Sequence, residues 1–240
     1  MLILAGLGLC DELDINLRLI EESKKCDEIY IEDYTGIWKG DIEKLEKTLN
    51  KKITKVDRSF LEERCKEIIE KAKEKNIMIL IQGDPLVLTT HFSLILECRK
   101  NNVKYKIIHN SSIVSAVAKT GLHIQKFGRI VSLHKKFEAQ SIKNFIIENK
   151  KNKLHTLCIL DLDLNLKEAI EILEKLECIK GDEKFFVLVN VGCDDEKIFV
   201  GTKELLKKIR IENKSISIVI PSEDLHFTEK EAIEIGGGGI

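Results

Sequence analysis

The chain has 240 residues, 43% of them hydrophobic and 33% charged, with 39 Lys+Arg against 40 Asp+Glu and a formal net charge of −1. That is apolar material for one large or two small globular cores. The charge balance argues against a broad basic face for nucleic acid or an anionic membrane, and no apolar run approaches the ~20 residues of a membrane-spanning helix.

The first segment, MLILAGLGL, is too short and lacks the basic flank for a signal peptide, and reads as a strand, Leu2 to Ala5, ending in Gly6-Leu7-Gly8-Leu9. Apolar spacing then predicts helix over Asp14–Lys25, strand over Glu28–Ile31, and helix over Asp41–Asn50 capped by Asp41. A short strand, Ile53–Val56, precedes a helix over Ser59–Lys73 capped by Asp57. The buried strand Ile77–Ile81 follows, then a helix from His91 to Lys100 and the strand Tyr105–Ile108. This alternation of strand and helix implies parallel βαβ units and an open sheet covered on both faces.

Beyond residue 110 the alternation continues less regularly. A small-residue helix is expected over Ser112–Thr120. Strands are expected at Ile130–Leu133, Leu154–Leu160, Phe185–Val191, Ile198–Val200 and Ile216–Ile220. Helices fall near Ile142–Glu148, Leu166–Leu176, Lys203–Ile209 and Thr228–Ile235. The short link Gly192-Cys193-Asp194-Asp195 predicts a hairpin, hence a mixed sheet. Asn149–Lys153 reads as a basic loop and the terminal GGGGI as a tail. Two α/β domains result, residues 1–110 and 111–240. Seven cysteines without a CxxC, and no histidine pair at metal spacing, point to reduced thiols in a cytoplasmic protein and to no metal site.

Three polar features stand at strand ends. Gly6-Leu7-Gly8 lets the backbone turn closely, although Asp11 occupies the third glycine position of a dinucleotide fingerprint; a plain tight turn explains it equally. Gly83-Asp84-Pro85 places a carboxylate at the end of a buried strand, either in an Asx turn or facing a ligand. Thr89 and Thr90 read as caps of the helix at His91 or as polar contacts. Ser112-Ile113 opens a helix directly after a strand, as an ordinary cap or as a source of free N–H groups. All three lie on one edge of one sheet, where open α/β folds bind ligands.

MLILAGLGLCDELDI, IEDYTG, DRSFLEE, GDPLVLTTH, IIHNSSIVSAV, TGLHIQKFGRIVSL, LHTLCILDL and VGCDDEKIFVGT, in this order, closely resemble the diphthine synthases, within the wider tetrapyrrole-methylase-like methyltransferases. The resemblance implies two α/β domains, a mostly parallel N-terminal sheet and a mixed C-terminal one, with a cofactor cleft between them. It implies transfer of methyl groups from S-adenosylmethionine to the diphthamide precursor, a modified histidine of translation elongation factor 2, by a cytoplasmic homodimer. Carried over residue by residue, the cofactor contacts fall on Leu9, Asp84, Val87, Ser112, Ile113 and Leu160, and extend to Val191 and Ile216. The chain departs from the family in a shorter segment after the LCILDL strand, in HKKFEAQ after VSL, and in Ile216 where a histidine is common.

No residue is assigned as catalytic, because the methyl donor is already activated and the protein's task is alignment and exclusion of water. His91, His109 and Tyr34 are candidates for orienting the acceptor. Lys51-Lys52, Lys135-Lys136 and Lys150-Lys151 are either solvated loop residues or a rim that meets the elongation factor. Rival readings are a tetrapyrrole C-methyltransferase of the same fold and a cofactor-binding regulator that does not turn over.

Overall fold

The computed structural model describes residues 1–135, 139–211 and 214–236. It divides into two compact units, Met1–Ile113 and Val114–Ile240.

The first unit is a five-stranded sheet ordered β3-β2-β4-β1-β5, with β1 Leu2–Gly6, β2 Glu28–Glu32, β3 Ile53–Val56, β4 Ile77–Ile81 and β5 Tyr105–Ile108. Every pairing is parallel. The central strands β1 and β4 are fully buried along their length, which is why LILA and IMILI run apolar without alternation. One face packs Leu2, Leu4, Ile77, Ile79 and Ile81 against α3 Arg58–Glu62, α4 Cys65–Glu74 and α5 Phe92–Lys100. The other packs Ile3, Ala5, Met78 and Leu80 against α1 Leu17–Ser23 and α2 Ile42–Leu49. The chain therefore leaves the neighbouring strands β1 and β4 towards opposite faces. That creates a crevice at their carboxyl ends.

The predicted caps form. Asp41 accepts hydrogen bonds from the Glu43 and Lys44 amides, and Asp57 accepts one from Phe60. The expected helix Ser59–Lys73 is two helices, α3 and α4, interrupted at Glu63 and Arg64. The expected helix Asp14–Lys25 is a 3₁₀ turn, Glu12–Asp14, followed by α1, whose cap is Asn16. Asn16 accepts from the Leu19 amide and halts the pattern there, because a capping residue leaves helical backbone angles.

The second unit orders its strands β6-β7-β10-β8-β9, with β6 Val131–Leu133, β7 Thr156–Leu160, β8 Phe185–Val189, β9 Lys197–Gly201 and β10 Ile216–Ile220. β6 and β7 are parallel and the other pairings antiparallel, including the expected β8–β9 hairpin. Its helices are α6 Ile113–Ala116, α7 Ala139–Lys151, α8 Leu166–Lys175, α9 Lys203–Leu206 and α10 Phe227–Gly236. Residues 149–151, expected in a basic loop, are the last turn of α7; lysines at a helix carboxyl end face its partial negative charge. The Ser112–Thr120 helix is one turn of α6 and a 3₁₀ turn ending at Gly121 (φ +78°). Residues 237–240 of the expected tail, and Lys136, lie outside the described residues.

Cys26, Cys65, Cys98, Cys158 and Cys178 are free thiols. Burial pushes Cys26, Cys98 and Cys178 up to about 11, so they pack as small apolar groups rather than react. The expectation of reduced thiols holds at these five and not at Cys10 and Cys193. No helix among the described residues is long and apolar enough to cross a membrane.

Candidate functional site

Three strand ends meet in the first unit. After β1 and β4 the chain continues as a single antiparallel bridge between Gly8 and Gly83, with the Gly8 amide donating to the Gly83 carbonyl at 3.2 Å and the Gly83 amide to the Gly8 carbonyl at 2.8 Å. Two parallel strands thus exchange an antiparallel pair of bonds just past their ends. Gly83 manages this at φ +70°, a conformation costly for any residue with a Cβ. At Gly6 the reason for glycine is space: a Cβ there would lie 2.4 Å from the Gly83 carbonyl oxygen and 2.8 Å from Cβ of Asn110. Gly6→Ala is expected to lower stability by about 1–3 kcal/mol, as overpacking does. Chemical denaturation measures this, and an unchanged midpoint would show that the strand ends yield freely.

Asp84 is the hub of the turn. It is 5% exposed. Its Oδ1 accepts from the Leu86 amide at 3.0 Å, the Asx turn; its Oδ2 meets His109 Nδ1 at 2.8 Å and accepts from the Asn110 amide at 3.2 Å. The carboxylate therefore ties the end of β4 to the segment after β5. Asn110 closes the remaining gap: its side-chain amide donates to the carbonyls of Gly6 and Asp14, at 2.9 and 3.0 Å. Asn16 donates to the His109 carbonyl at 3.0 Å. Asn110 and Asn16 were not singled out from the sequence. Their signal, an amide side chain flanking a strand end, is common to loops in general.

Of the expected site residues in this unit, Ser112 is buried, while Leu9, Val87 and Ile113 are half-buried. The nearest neighbours of a Cβ built on Gly83 would be the Ser111 carbonyl and Cβ of Ser112, both at 3.9 Å. The Val87 amide donates to the Asp84 carbonyl at 3.2 Å. The turn thus brings Val87 and Ser112 close to Asp84 and Gly83. Leu160, Val191 and Ile216 belong to the second unit and are buried there at 9%, 6% and 8% exposure. Ile216 pairs with Val189 on β8, and both Leu160 and Ile216 join the apolar core on one face of that sheet.

The three acceptor-orienting candidates separate. His109 is bound to Asp84. Tyr34 and His91 find each other instead, Tyr34 Oη to His91 Nε2 at 3.2 Å. Thr89 and Thr90 do not cap α5: Thr89 donates to the Pro85 carbonyl at 2.8 Å and Thr90 to Glu62 at 3.4 Å, and His91 begins the helix without a side-chain cap. His91 is buried, and burial lowers its pKa against the opposing charge of Glu32. Most of the rim lysines have partners within the chain. Lys51 donates to the Cys26 carbonyl, and Lys52, Lys135 and Lys150 pair with Glu46, Glu168 and Glu183. Among the described residues there is no group of three His, Cys, Asp or Glu able to hold a metal ion.

Residues 1–206 match the family described as Tetrapyrrole (Corrin/Porphyrin) Methylases. The chain is 38% identical to a diphthine synthase of Methanocaldococcus jannaschii and 37% identical to one of Methanococcus vannielii, in both cases over 98% of each chain. A crystal structure of diphthine synthase superposes with a TM-score of 0.90 at 34% identity, covering 99% of this chain and 96% of that one. With its fold, its strand-end crevice and these relatives, the chain belongs to the diphthine synthase family of the tetrapyrrole-methylase class and is a methyltransferase.

Proposed function

We propose that the protein transfers methyl groups from S-adenosylmethionine to the amine of the diphthamide precursor on translation elongation factor 2. One observation supports this above the rest: the crevice built by Gly6, Gly8, Gly83 and Asp84 lies in a chain whose relatives, over their whole length, are diphthine synthases. The crevice suits the donor. Gly6 and Gly8 let the strand ends pack backbone to backbone where a Cβ would collide, and half-buried Leu9 and Val87 offer apolar surface to a flat ring. Asp84, Ser112 and Ile113 complete the contacts proposed for this unit. Leu160, Val191 and Ile216 are those proposed for the second, where apolar side chains would pack on the donor.

When bound, the donor supplies a methyl group already activated by its positive sulfur. The chain's own residues must hold acceptor and donor in line and exclude water; orientation of this kind contributes several kcal/mol. They must also dispose of the acceptor's proton, since an ammonium has no lone pair with which to attack.

The test is incubation with labelled S-adenosylmethionine and elongation factor 2 from cells arrested before diphthine methylation, followed by mass measurement of the modified peptide. A gain of whole methyl masses on that peptide is expected. Labelling of a tetrapyrrole instead would leave only the fold, and donor binding without release of S-adenosylhomocysteine would identify a regulator. A homodimer in the cytoplasm is part of the same proposal. Sedimentation at micromolar concentration is expected to give twice the 27.4 kDa chain mass, and a stable monomer would count against it.

A further inference from the structure

Beside the crevice lies a second polar cluster that the donor contacts do not use. Glu32 ends β2, a buried strand, and is itself only 3% exposed. One of its oxygens, Oε2, takes every hydrogen bond: from the Tyr34 amide at 3.3 Å, the Thr35 amide at 3.0 Å and the Thr35 hydroxyl at 2.7 Å. The other, Oε1, is buried without a partner, as is Nδ1 of His91. Unpaired buried polar atoms are uncommon and costly. These two are complementary, since one accepts and the other donates once the imidazole carries its proton on Nδ1.

The surroundings accommodate that tautomer. The Glu32 carboxylate and the Pro85 carbonyl both favour a proton on His91, and the Glu62 carboxylate acts in the same direction. Burial, the largest influence, keeps the ring neutral, so one nitrogen must remain an acceptor. Nε2 is the nitrogen that meets Tyr34 Oη. The phenol then donates to Nε2, and its oxygen lone pairs point away from the ring. Tyr34 is half-buried, with its Oη on His91 Nε2, and the Glu32 carboxylate acts on the ring through its charge. The groups facing the phenol are Glu32, Glu62, Asp57 and the Arg58 guanidinium, 5.2 Å above its ring. The three carboxylates and burial resist a standing phenolate, which suits a group that passes a proton on as it takes one up.

We propose that Tyr34 is the catalytic residue that accepts the proton of the methyl-acceptor ammonium, with His91 and Glu32 as positioning residues behind it. The inference rests on the methyltransferase reading above. The proton leaves the acceptor nitrogen for Tyr34 Oη while the phenol proton moves to His91 Nε2. The imidazolium so formed is held by the Glu32 charge, and the proton returns to solvent when the site opens. The nitrogen keeps the electron pair of its broken N–H bond, and with that pair it forms the new N–C bond. Pro85, whose carbonyl neighbours His91, adjoins Asp84 in the chain, so the relay and the proposed donor wall share one turn.

The test combines pH profiles with an independent titration. Single-turnover methylation of the peptide-borne acceptor is followed from pH 5.5 to 9.5 for wild type, Tyr34→Phe and Glu32→Gln. Donor affinity is measured by calorimetry, folding by thermal melting and the His91 imidazole by NMR. Tyr34→Phe is expected to slow transfer about a hundredfold near neutrality, with donor affinity unchanged and the deficit shrinking as pH rises. Glu32→Gln is expected to move the acidic limb of the rate profile to lower pH, in step with the His91 titration. Wild-type rates and profile in folded Tyr34→Phe would overturn the relay. So would a rate limb that fails to follow His91 in Glu32→Gln, a readout that survives even if Tyr34→Phe does not fold. Wild-type enzyme that methylates no acceptor at any pH would overturn the methyltransferase reading itself, and the relay with it.

Discussion

Asp84→Ala is expected to weaken S-adenosylmethionine binding by about 1.5–3 kcal/mol, roughly ten- to hundredfold. The carboxylate makes three contacts, to the Leu86 amide, the Asn110 amide and His109. Alanine removes all three. The Asn110 amide would lose its partner, and the end of β4 would no longer be tied to the chain after β5. The proposed contacts Val87, on the same turn, and Ser112, two residues beyond Asn110, would both lose their fixed positions. Asp84→Asn is expected to fall between the two, because its oxygen can still accept from Leu86 while its NH₂ faces the Asn110 N–H, a donor meeting a donor. Calorimetry on folded variants measures the ordering. Equal affinity for wild type and Asp84→Ala would remove Asp84 from the donor site.

Glu229→Ala is expected to cost about 3–5 kcal/mol of stability, the penalty for breaking a buried charged network by removing one member. Glu229 stands in the first turn of α10 with no exposure. Its Oε1 accepts from the His123 amide at 2.8 Å and from His155 Nε2 at 2.9 Å; its Oε2 accepts from the His226 amide and Lys126 Nζ, both at 2.8 Å. One carboxylate therefore pins α10 to the segment around 123–126 and to His155, ahead of β7. Alanine strands the two amides and His155 Nε2–H together and leaves Lys126 only the Asp224 carbonyl. Urea unfolding monitors the loss, and a variant within 1 kcal/mol of wild type would show that water replaces the carboxylate.

The same group sets an acid limit. Burial pushes the Glu229 carboxyl up, but the Lys126 ammonium, the two amides and His155 outweigh it and hold it down to about 2. A depressed carboxylate contributes stability above its unfolded value, near 4.5, and loses it as pH falls towards about 2. His155 is depressed by burial, against the pull of Glu229. It opposes protonation in the fold, so its contribution fades as pH drops below the unfolded value near 6.5. Unfolding free energy is expected to fall in two stages on acidification, below about pH 6.5 and again below about pH 4.5. His155→Gln is expected to shrink the first stage, leaving the part contributed by His91, which burial also depresses. A first stage of wild-type size in that variant would assign it to His91.

Much of this was determined by the sequence alone. Unbroken apolar runs such as IMILI cannot face water on either side, so a parallel sheet covered on both faces followed from the pattern. Asp41 and Asp57, placed just ahead of apolar-periodic runs, identified their helix starts because capping is local chemistry. The position of Asp84 at the end of a buried strand was equally legible. What Asp84 holds was not, since His109 and Asn110 lie 25 and 26 residues further along the chain. Only the pairing of β4 with β1 and of β1 with β5 brings them across. Nor could periodicity separate α3 from α4, since a break at Glu63-Arg64 leaves the apolar spacing nearly intact. The partnering of Tyr34 with His91, the unpaired oxygen of Glu32 and the network of Glu229 span 57 to 106 residues in the case of the bonded pairs Tyr34–His91 and His123–Glu229. Such pairings depend on which strand lies beside which. The tertiary structure decides them, because a hydrogen bond senses distance in space and a sequence pattern records only distance along the chain.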